Sequence, residues 1–527
     1  MEINLNTGEN YSDLQSRISV VETSLSEIKA SLSSQSAESS PRSHAESFHF
    51  SKKSQSQTRL VPELTALSVE RTTRHAPMSL IQEIKENISS PEETSQFQFP
   101  SEDVIANGMV SEDVARILLE GFSKLSSRWL FMSTDPVELR TKSSLLFGTC
   151  ILAGIHITPS LYGSETHQKL YSHIQEILAQ SQLVAGAPLD TIQALLIFSM
   201  WDLRPTRDHD HGSSWLLSGV AAMQVVMATR FENMFQTDDY QKIARSKEFS
   251  RTWNLVCLCH LQFSIGFGRP PVISDQYLDQ CSNILKFQSY NSRDELVLAG
   301  VELYRTLWEL ITSHEIQTDK PVWPEIERLR ERHEHIYNLD SSEPLRFAYS
   351  CAFLILARRT LRHISYLQNE EQDSPQQPHW NNSKIGFIQF AVRHSHQILS
   401  LFLSMSDLTT YVHPAYENLL CSFAMATLVE LADHVSNIFE TTTLMEHAVS
   451  HIQRGGKAEP VGRWSLGIMK QHIIGINDED PISQEEIGIA DELLDPTTDI
   501  MRSWEEVDWN FEQDFPSLQE MFFGAVQ

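Results

Sequence analysis

Between Leu145 and Pro271 apolar residues recur at helical intervals more densely than in any other part of the chain. Leu145, Leu146, Cys150, Ile151 and Gly154 open this stretch. Leu189, Ile192, Leu195, Leu196, Phe198 and Met200 form a run rich enough to be buried on most sides. Leu216, Leu217, Val220, Met223 and Met227 return every three or four residues, which sets them on one face of a helix. Such segments bury their side chains by packing helix on helix. Pro159, Pro188 and Pro205 fall between the apolar runs, where turns belong. Nothing in the chain alternates with period two for long enough to argue for a sheet, so the predicted fold class is all-α.

With 527 residues a large core is within reach, and roughly two to four domains is the expectation from length. No apolar run reaches the ~18 residues of a membrane-spanning helix, and Met1-Glu2-Ile3-Asn4 does not open a secretory leader. A membrane partner is therefore not expected. The six cysteines, at 150, 257, 259, 281, 351 and 421, lie mostly in apolar helical runs, the pattern of reduced, buried thiols. The net charge of −28 gives no general attraction to DNA, so any DNA contact must be local or belong to a partner.

Residues 11–35 carry a short seam: Leu14, Ile18, Val21, Leu25, Ile28 and Leu32 are spaced 4-3-4-3-4. They predict a coiled-coil dimerisation helix, with Arg17 and Glu22 placed to pair between strands. The alternative is one amphipathic helix docking on its own chain. Residues 36–99, rich in Ser, Gln and Pro, read as disordered linker. Lys52, Lys53, Arg59, Arg71, Arg74 and His75 make a weak positive zone within it. Residues 100–455 are the helical body. There Val114, Ile117, Leu118 and Phe122 are expected to be buried in a helix within 101–132. Further helices are expected at 249–267, 296–312, 321–339, 347–367, 385–405, 416–438 and 444–452. Residues 478–527 form an acidic-aromatic tail: 15 acidic residues and a single basic one, Arg502, between Asp478 and Glu520, interleaved with Trp504, Trp509, Phe511 and Phe515 and followed by Phe522. Those five aromatics are candidate activation residues, held in solution by their acidic neighbours and available to a groove on another protein; a terminal helix packed on the body is the alternative.

Catalytic motifs are absent: there is no Gly-rich phosphate loop and no G-x-S-x-G elbow. Asp202, Asp208, His209, Asp210 and His211 are a dense set of ligand types, yet beside Pro205 they read as a solvated loop rather than one tetrahedral site. Cys257 and His260 share a helical face among leucines, which argues for core filling. His333 and His335 do not share a face on a helix. An all-helical enzyme with a pocket at Asp208–His211 is the remote alternative. Gly266-Phe267-Gly268-Arg269-Pro270-Pro271 reads as a helix stop whose glycines allow a tight turn, whose prolines fix the exit, and whose Arg269 offers a rigid fork of donors.

Arg251-Thr252-Trp253, then Leu261-Gln262-Phe263-Ser264, then Gly268-Arg269-Pro270-Pro271-Val272-Ile273 resemble the middle homology region of fungal binuclear zinc-cluster transcription factors. Upstream, Leu189-Asp190-Thr191-Ile192-Gln193-Ala194-Leu195-Leu196 is similar to the leucine-rich helix of that region, and Trp215 with Gly219 to the helix after it. The similarity covers about residues 100–440, with Arg251, Trp253, Gly268, Arg269 and Pro270 as the family-motif residues. The plan of coiled coil, linker, helical body and acidic tail matches as well.

The resemblance implies a nuclear transcriptional regulator, not an enzyme, controlling metabolic or secondary-metabolite genes through an all-helical regulatory domain. It would act as a homodimer or as a heterodimer with a zinc-cluster factor, on promoter DNA directly or through that partner, and would recruit transcription machinery. The family's six-cysteine zinc cluster has no counterpart, because no cysteine precedes Cys150. Zinc is expected only if such a cluster precedes this sequence, and this chain itself implies no catalytic, cofactor-binding or metal-ligating residue. The expected explanations are an incomplete gene model, a natural loss compensated by a partner, or DNA contact through the basic linker. A co-regulator or scaffold that titrates a full-length factor is the alternative function.

Overall fold

The computed structural model of the protein describes residues 103–477, apart from 127–128, 131, 133–134, 183–185, 206–211, 230, 232–233, 235–238, 371–377, 407–412 and 455–459. The seam residues Leu14, Ile18, Val21, Leu25, Ile28 and Leu32, the linker, the Asp208–His211 loop and the tail aromatics Trp504, Trp509, Phe511, Phe515 and Phe522 lie outside the described residues.

Every regular element among the described residues is helical. In chain order these are α1 (Glu112–Ser126), α2 (Pro136–Lys142), α3 (Ser144–His156), α4 (Glu165–Ser181), α5 (Leu189–Trp201), α6 (Gly212–Ala228), α7 (Tyr240–Gly266) and α8 (Asp275–Leu278), which runs into a 3₁₀ turn at Asp279–Lys286. There follow α9 (Ser292–Thr312), α10 (Pro324–Arg332), α11 (Glu334–Tyr337), α12 (Glu343–Glu370), α13 (Pro378–Ser406), α14 (Ala415–Glu430), α15 (Ile438–Arg454) and α16 (Pro460–Asn477).

Local chemistry explains the starts. Asp135 accepts from Glu138 N–H at 2.8 Å with Pro136 as the first helical residue, and Ser143 Oγ caps α3 by accepting from Leu146 N–H at 3.2 Å. α9 opens with a capping box in which Asn291 and Asp294 each accept from the other's backbone N–H, at 3.1 and 3.0 Å. Helices apolar all round form the centre: in α3 everything from Leu145 to His156 is buried, and in α5 everything from Leu189 to Trp201 except Asp190.

Packing runs from neighbour to neighbour. α1 lies on α3, α3 on α4 and α5, and α5 on α6 and α7. α7 then joins α9 and α14, α9 meets α12, and α12 pairs with α13. α13 contacts α14 and α15, and α16 closes over both of these. At the α1–α3 crossing a Cβ on Gly154 would stand 2.4 Å from Leu118 O, so only glycine admits the two backbones this closely.

Several elements differ from the periodic reading. α1 begins at Glu112, and Val114 and Ile117 face outward at 39% and 66% exposure instead of into the core. α7 starts nine residues before Phe249, at Tyr240, behind the cap of Asp239. The charged helix expected over 321–339 breaks at His333 into α10 and α11. The pattern from Tyr416 stops at Glu430, short of the expected 438, and α15 starts at Ile438 rather than Leu444. α16 carries the helical body past residue 455, with Met469 and Ser465 fully buried.

Candidate functional site

The motif residues cluster at the ends of two junctions along α7. Arg251 and Gly268 are separated by roughly 25 Å of helix at 1.5 Å per residue, so they do not share one site.

At the first junction, Arg251 Nε and Nη2 donate to the two carboxylate oxygens of Asp294, both at 2.7 Å. The Asp294 side chain is 1% exposed, and the same carboxylate accepts the Asn291 N–H of the capping box. Arg251 thereby fastens the middle of α7 to the first turn of α9. Beside it, Gln193 of α5 donates weakly to Thr252 and Glu248, both at 3.4 Å, and Lys142 reaches Asp190 at 3.0 Å and Glu248 at 3.6 Å. Trp253 points the other way, fully buried, with its ring 5.4 Å edge-on from Phe231.

At the second junction the α7 stop is a Schellman turn: Arg269 N–H bonds Ser264 O at 2.8 Å and Gly268 N–H bonds Ile265 O at 3.2 Å, with Gly268 at φ +60°. A side chain at this φ would be strained, which accounts for glycine. The turn is fixed to α6 by His260. Val272 N–H donates to its Nε2 at 2.9 Å, so Nδ1 carries the proton toward Ser218 Oγ at 3.0 Å. Burial pushes the His260 pKa down to about 4, which keeps the ring in this neutral form. Trp215 Nε1 donates to Ser264 Oγ at 3.2 Å, and the Arg269 guanidinium lies 5.7 Å over the Trp215 ring. Arg269 and Pro270 are exposed on the outer side of the turn. The backbone N–H of Arg269, rather than its fork, satisfies the helix-terminal carbonyl.

Other sequence candidates resolve individually. Asp202 ends α5 in a left-handed conformation and pairs with Arg204 at 2.6 and 2.8 Å. His333 and His335 meet separate carboxylates on α9, Glu302 at 3.0 Å and Glu295 at 3.2 Å. All six cysteines are free and buried, and burial raises the thiol pKa of Cys150, Cys259 and Cys351. Among the described residues no group of three or more His, Cys, Asp or Glu is placed to hold a metal ion. The six buried cysteines thus do not fit a zinc cluster. No helix among the described residues is long and apolar enough to cross a membrane.

Two pairings escaped the sequence reading, Arg251 with Asp294 and His413 with Glu417. Asp294, 43 residues after Arg251, announces itself only as the fourth residue of Asn291-x-x-Asp294, a capping signature. His413 and Glu417, spaced i,i+4 at the start of α14, are both buried, 2.6 Å apart, with the His413 ring stacked 3.7 Å from Phe402. Two cavities near these junctions, one bordered by Gln262, Glu417 and Tyr416 and the other by Gln193, Glu248 and Arg251, each hold about 10 Å³, room for one water.

The motif side chains thus join helices to one another, α7 to α9 at the first junction and α7 to α6 at the second. Comparison with known families goes further. Residues 108–454 match the middle domain of the transcriptional activator of proteases prtT, and the chain belongs to that PRTT-like family. It is 27% identical to the transcriptional activator of proteases prtT of Aspergillus niger over 273 residues, 50% of this chain and 43% of that protein. To the Aspergillus fumigatus activator of that name it is 24% identical over 354 residues, 66% of this chain and 46% of the relative. An uncharacterized transcriptional regulatory protein of Schizosaccharomyces pombe is 24% identical over 297 residues, 54% of this chain and 55% of its own length. The chain thus spans about half the length of these relatives. No solved structure matches it.

Proposed function

We propose that this protein is a nuclear transcriptional regulator of the fungal zinc-cluster type, working as an activator of metabolic genes, with genes for proteases as the target class that the relatives' names suggest. The observation that carries the reading is the family match across 347 residues (108–454, counted inclusively). Within that span lie both helix junctions of α7. In this reading residues 11–35 pair two subunits through Leu14, Ile18, Val21, Leu25, Ile28 and Leu32. The α1–α15 body gates the output, and residues 478–527 recruit transcription machinery through Trp504, Trp509, Phe511, Phe515 and Phe522. Promoter DNA is reached directly or through a dimer partner.

The test fuses the full chain to an unrelated DNA-binding domain and measures a reporter carrying that domain's site. Activation that disappears on deleting residues 478–527 supports the reading. A full-length fusion that expresses, enters the nucleus and leaves the reporter at background rejects the activator role; a chain that only titrates a partner gives that result.

A further inference from the structure

The first three turns of α7 carry positive charge that few carboxylates answer. Residues 103–477 hold 40 acidic and 31 basic residues, yet between Tyr240 and Arg251 four basic residues stand against one acidic residue, Glu248. Lys247 and Arg251, four apart, share one flank of the helix, and Lys242 and Arg245, three apart, share the other. Lys242, in the first turn, also adds to the positive end of the helix dipole. The nearby carboxylates are already engaged. Asp239 Oδ1 accepts from Gln241 N–H at 2.9 Å, Glu248 is held by Lys142 at 3.6 Å, and Asp294 is gripped by both nitrogens of Arg251. Lys247 Nζ instead donates to the neutral Ser289 Oγ at 2.7 Å. Burial and then the charge of Arg251 lower the Lys247 pKa, the mark of a site with cations in surplus. Lys242 and Arg245 are exposed, and no carboxylate among the described residues pairs with either. By contrast Arg116, Lys169 and Arg328 each pair with an acid on their own helix, and on α12 Arg358 pairs with Glu430 while Arg359 caps Leu310 O and Ser313 O. Two exposed aromatic rings complete the surface: Tyr240, 83% exposed, opens α7, and Tyr290, 42% exposed, follows Ser289.

Local charge and composition identify the occupant. Residues 478–527 set 15 acidic residues against Arg502 alone, with Trp504, Trp509, Phe511, Phe515 and Phe522 among and after them. They continue the same chain directly from α16. The 50 residues (478–527, counted inclusively) can span more than about 150 Å, enough to reach any side of a body whose radius of gyration is about 21 Å. The tether supplies an effective concentration on the order of millimolar. Duplex DNA also offers anions, but it has no tether and would set a long polyanion against the acidic remainder of the body. We propose that the first three turns of α7 and the Ser289–Tyr290 turn bind the chain's own acidic-aromatic tail. The tail's carboxylates meet Lys242, Arg245 and Lys247, and its indoles meet the exposed tyrosines and the cations beside them. The docking depends on the tail's composition and not on its proposed recruiting role, so either can fail without the other.

The experiment places the photo-cross-linking residue p-benzoylphenylalanine at position 240 of the full chain, and at exposed position 117 on α1 as the control. Irradiation in low salt is followed by peptide mapping. The expected result is an adduct from 240 to residues 478–527, at least about fivefold more abundant than from 117 and falling by a similar factor when salt rises tenfold. Lys242→Glu with Arg245→Glu should abolish it, whereas Arg362→Glu, on an exposed cation of α12, should not. Glu505→Gln, Glu506→Gln and Asp508→Asn together should weaken it from the other side without altering the body. Equal tail adducts from the two positions, or adducts indifferent to both sets of charge changes, overturn the proposal. So does an adduct formed only between isotopically distinct copies, or one that maps to added duplex DNA while the tail stays unmarked. The fusion reporter separates the two readings: activation without a tail adduct at 240 removes the docking and keeps the recruiting role, and the adduct with a silent reporter does the reverse.

Discussion

Replacing Asp294 with alanine tests whether the first family-motif residue acts as a clamp. The carboxylate accepts two hydrogen bonds from Arg251 and one from Asn291 N–H while only 1% exposed. It also faces Arg293 and Lys247, whose pKa values are lowered by burial first and by Arg251 second, while Asp294 acts in the opposite direction. Its removal leaves the Arg251 side chain, 17% exposed, without the carboxylate that neutralises it. Breaking a buried pair from one side costs about 3–5 kcal/mol, and the lost capping box adds about 1 kcal/mol. Asp294→Ala should therefore lower unfolding stability by about 5 kcal/mol, read from the urea transition of the full chain by far-UV circular dichroism. The double replacement Arg251→Met with Asp294→Leu should cost less than either single change, because no charge is left buried alone. An Asp294→Ala loss under about 1 kcal/mol, or a double mutant as unstable as the sum of its parts, would refute the clamp.

Gly154→Ala should cost about 3 kcal/mol, since its Cβ would meet the Leu118 backbone 2.4 Å away and α1 must lift off α3; faster amide exchange confined to α1 and α3 would show this, and unchanged exchange would contradict it. Acidification should weaken the fold through His260. With a folded pKa of about 4 against 6.5, the unfolded chain binds the proton first. The stabilisation is fully present above pH 6.5 and fades as pH falls toward 4, a loss of about 3 kcal/mol. His394, lowered to about 4 by burial ahead of the charges of Arg393 and Arg330, adds in the same direction. A His260→Gln variant should show a shallower slope between pH 6.5 and 4, and an identical slope would remove His260 from the account.

The all-helical class, the α7 stop at Gly266–Pro271 and most helix positions were legible because each rests on local rules. Apolar period, proline placement and the glycine that a left-handed turn needs can all be seen within a few residues. The junctions were not legible, because their partners are distant in sequence: Arg251 finds Asp294 43 residues on, and His260 finds Ser218 42 residues back. Boundaries moved where caps, not hydrophobicity, decide the start. Asp239 begins α7 well ahead of its apolar half.

α6 marks the limit of periodicity itself. The 4-3-4 spacing of Leu216, Val220, Met223 and Met227 correctly puts them on one face, yet a period carries no sign: it states that residues share a side without stating that the side is inward. The sign was carried by Ser214, Ser218 and Gln224. Uncharged polar residues with no Lys, Arg, Asp or Glu along the whole helix are poor anchors in water, but Ser218 and Gln224 can be buried at little cost once His260, Trp215 O, Ala187 N–H and Gln182 O satisfy them. On the inner face these polar groups sit beside the small apolar Ala221, Ala222 and Val225. The apolar residues that share the other face, Leu216, Met223 and Met227, are the ones left exposed.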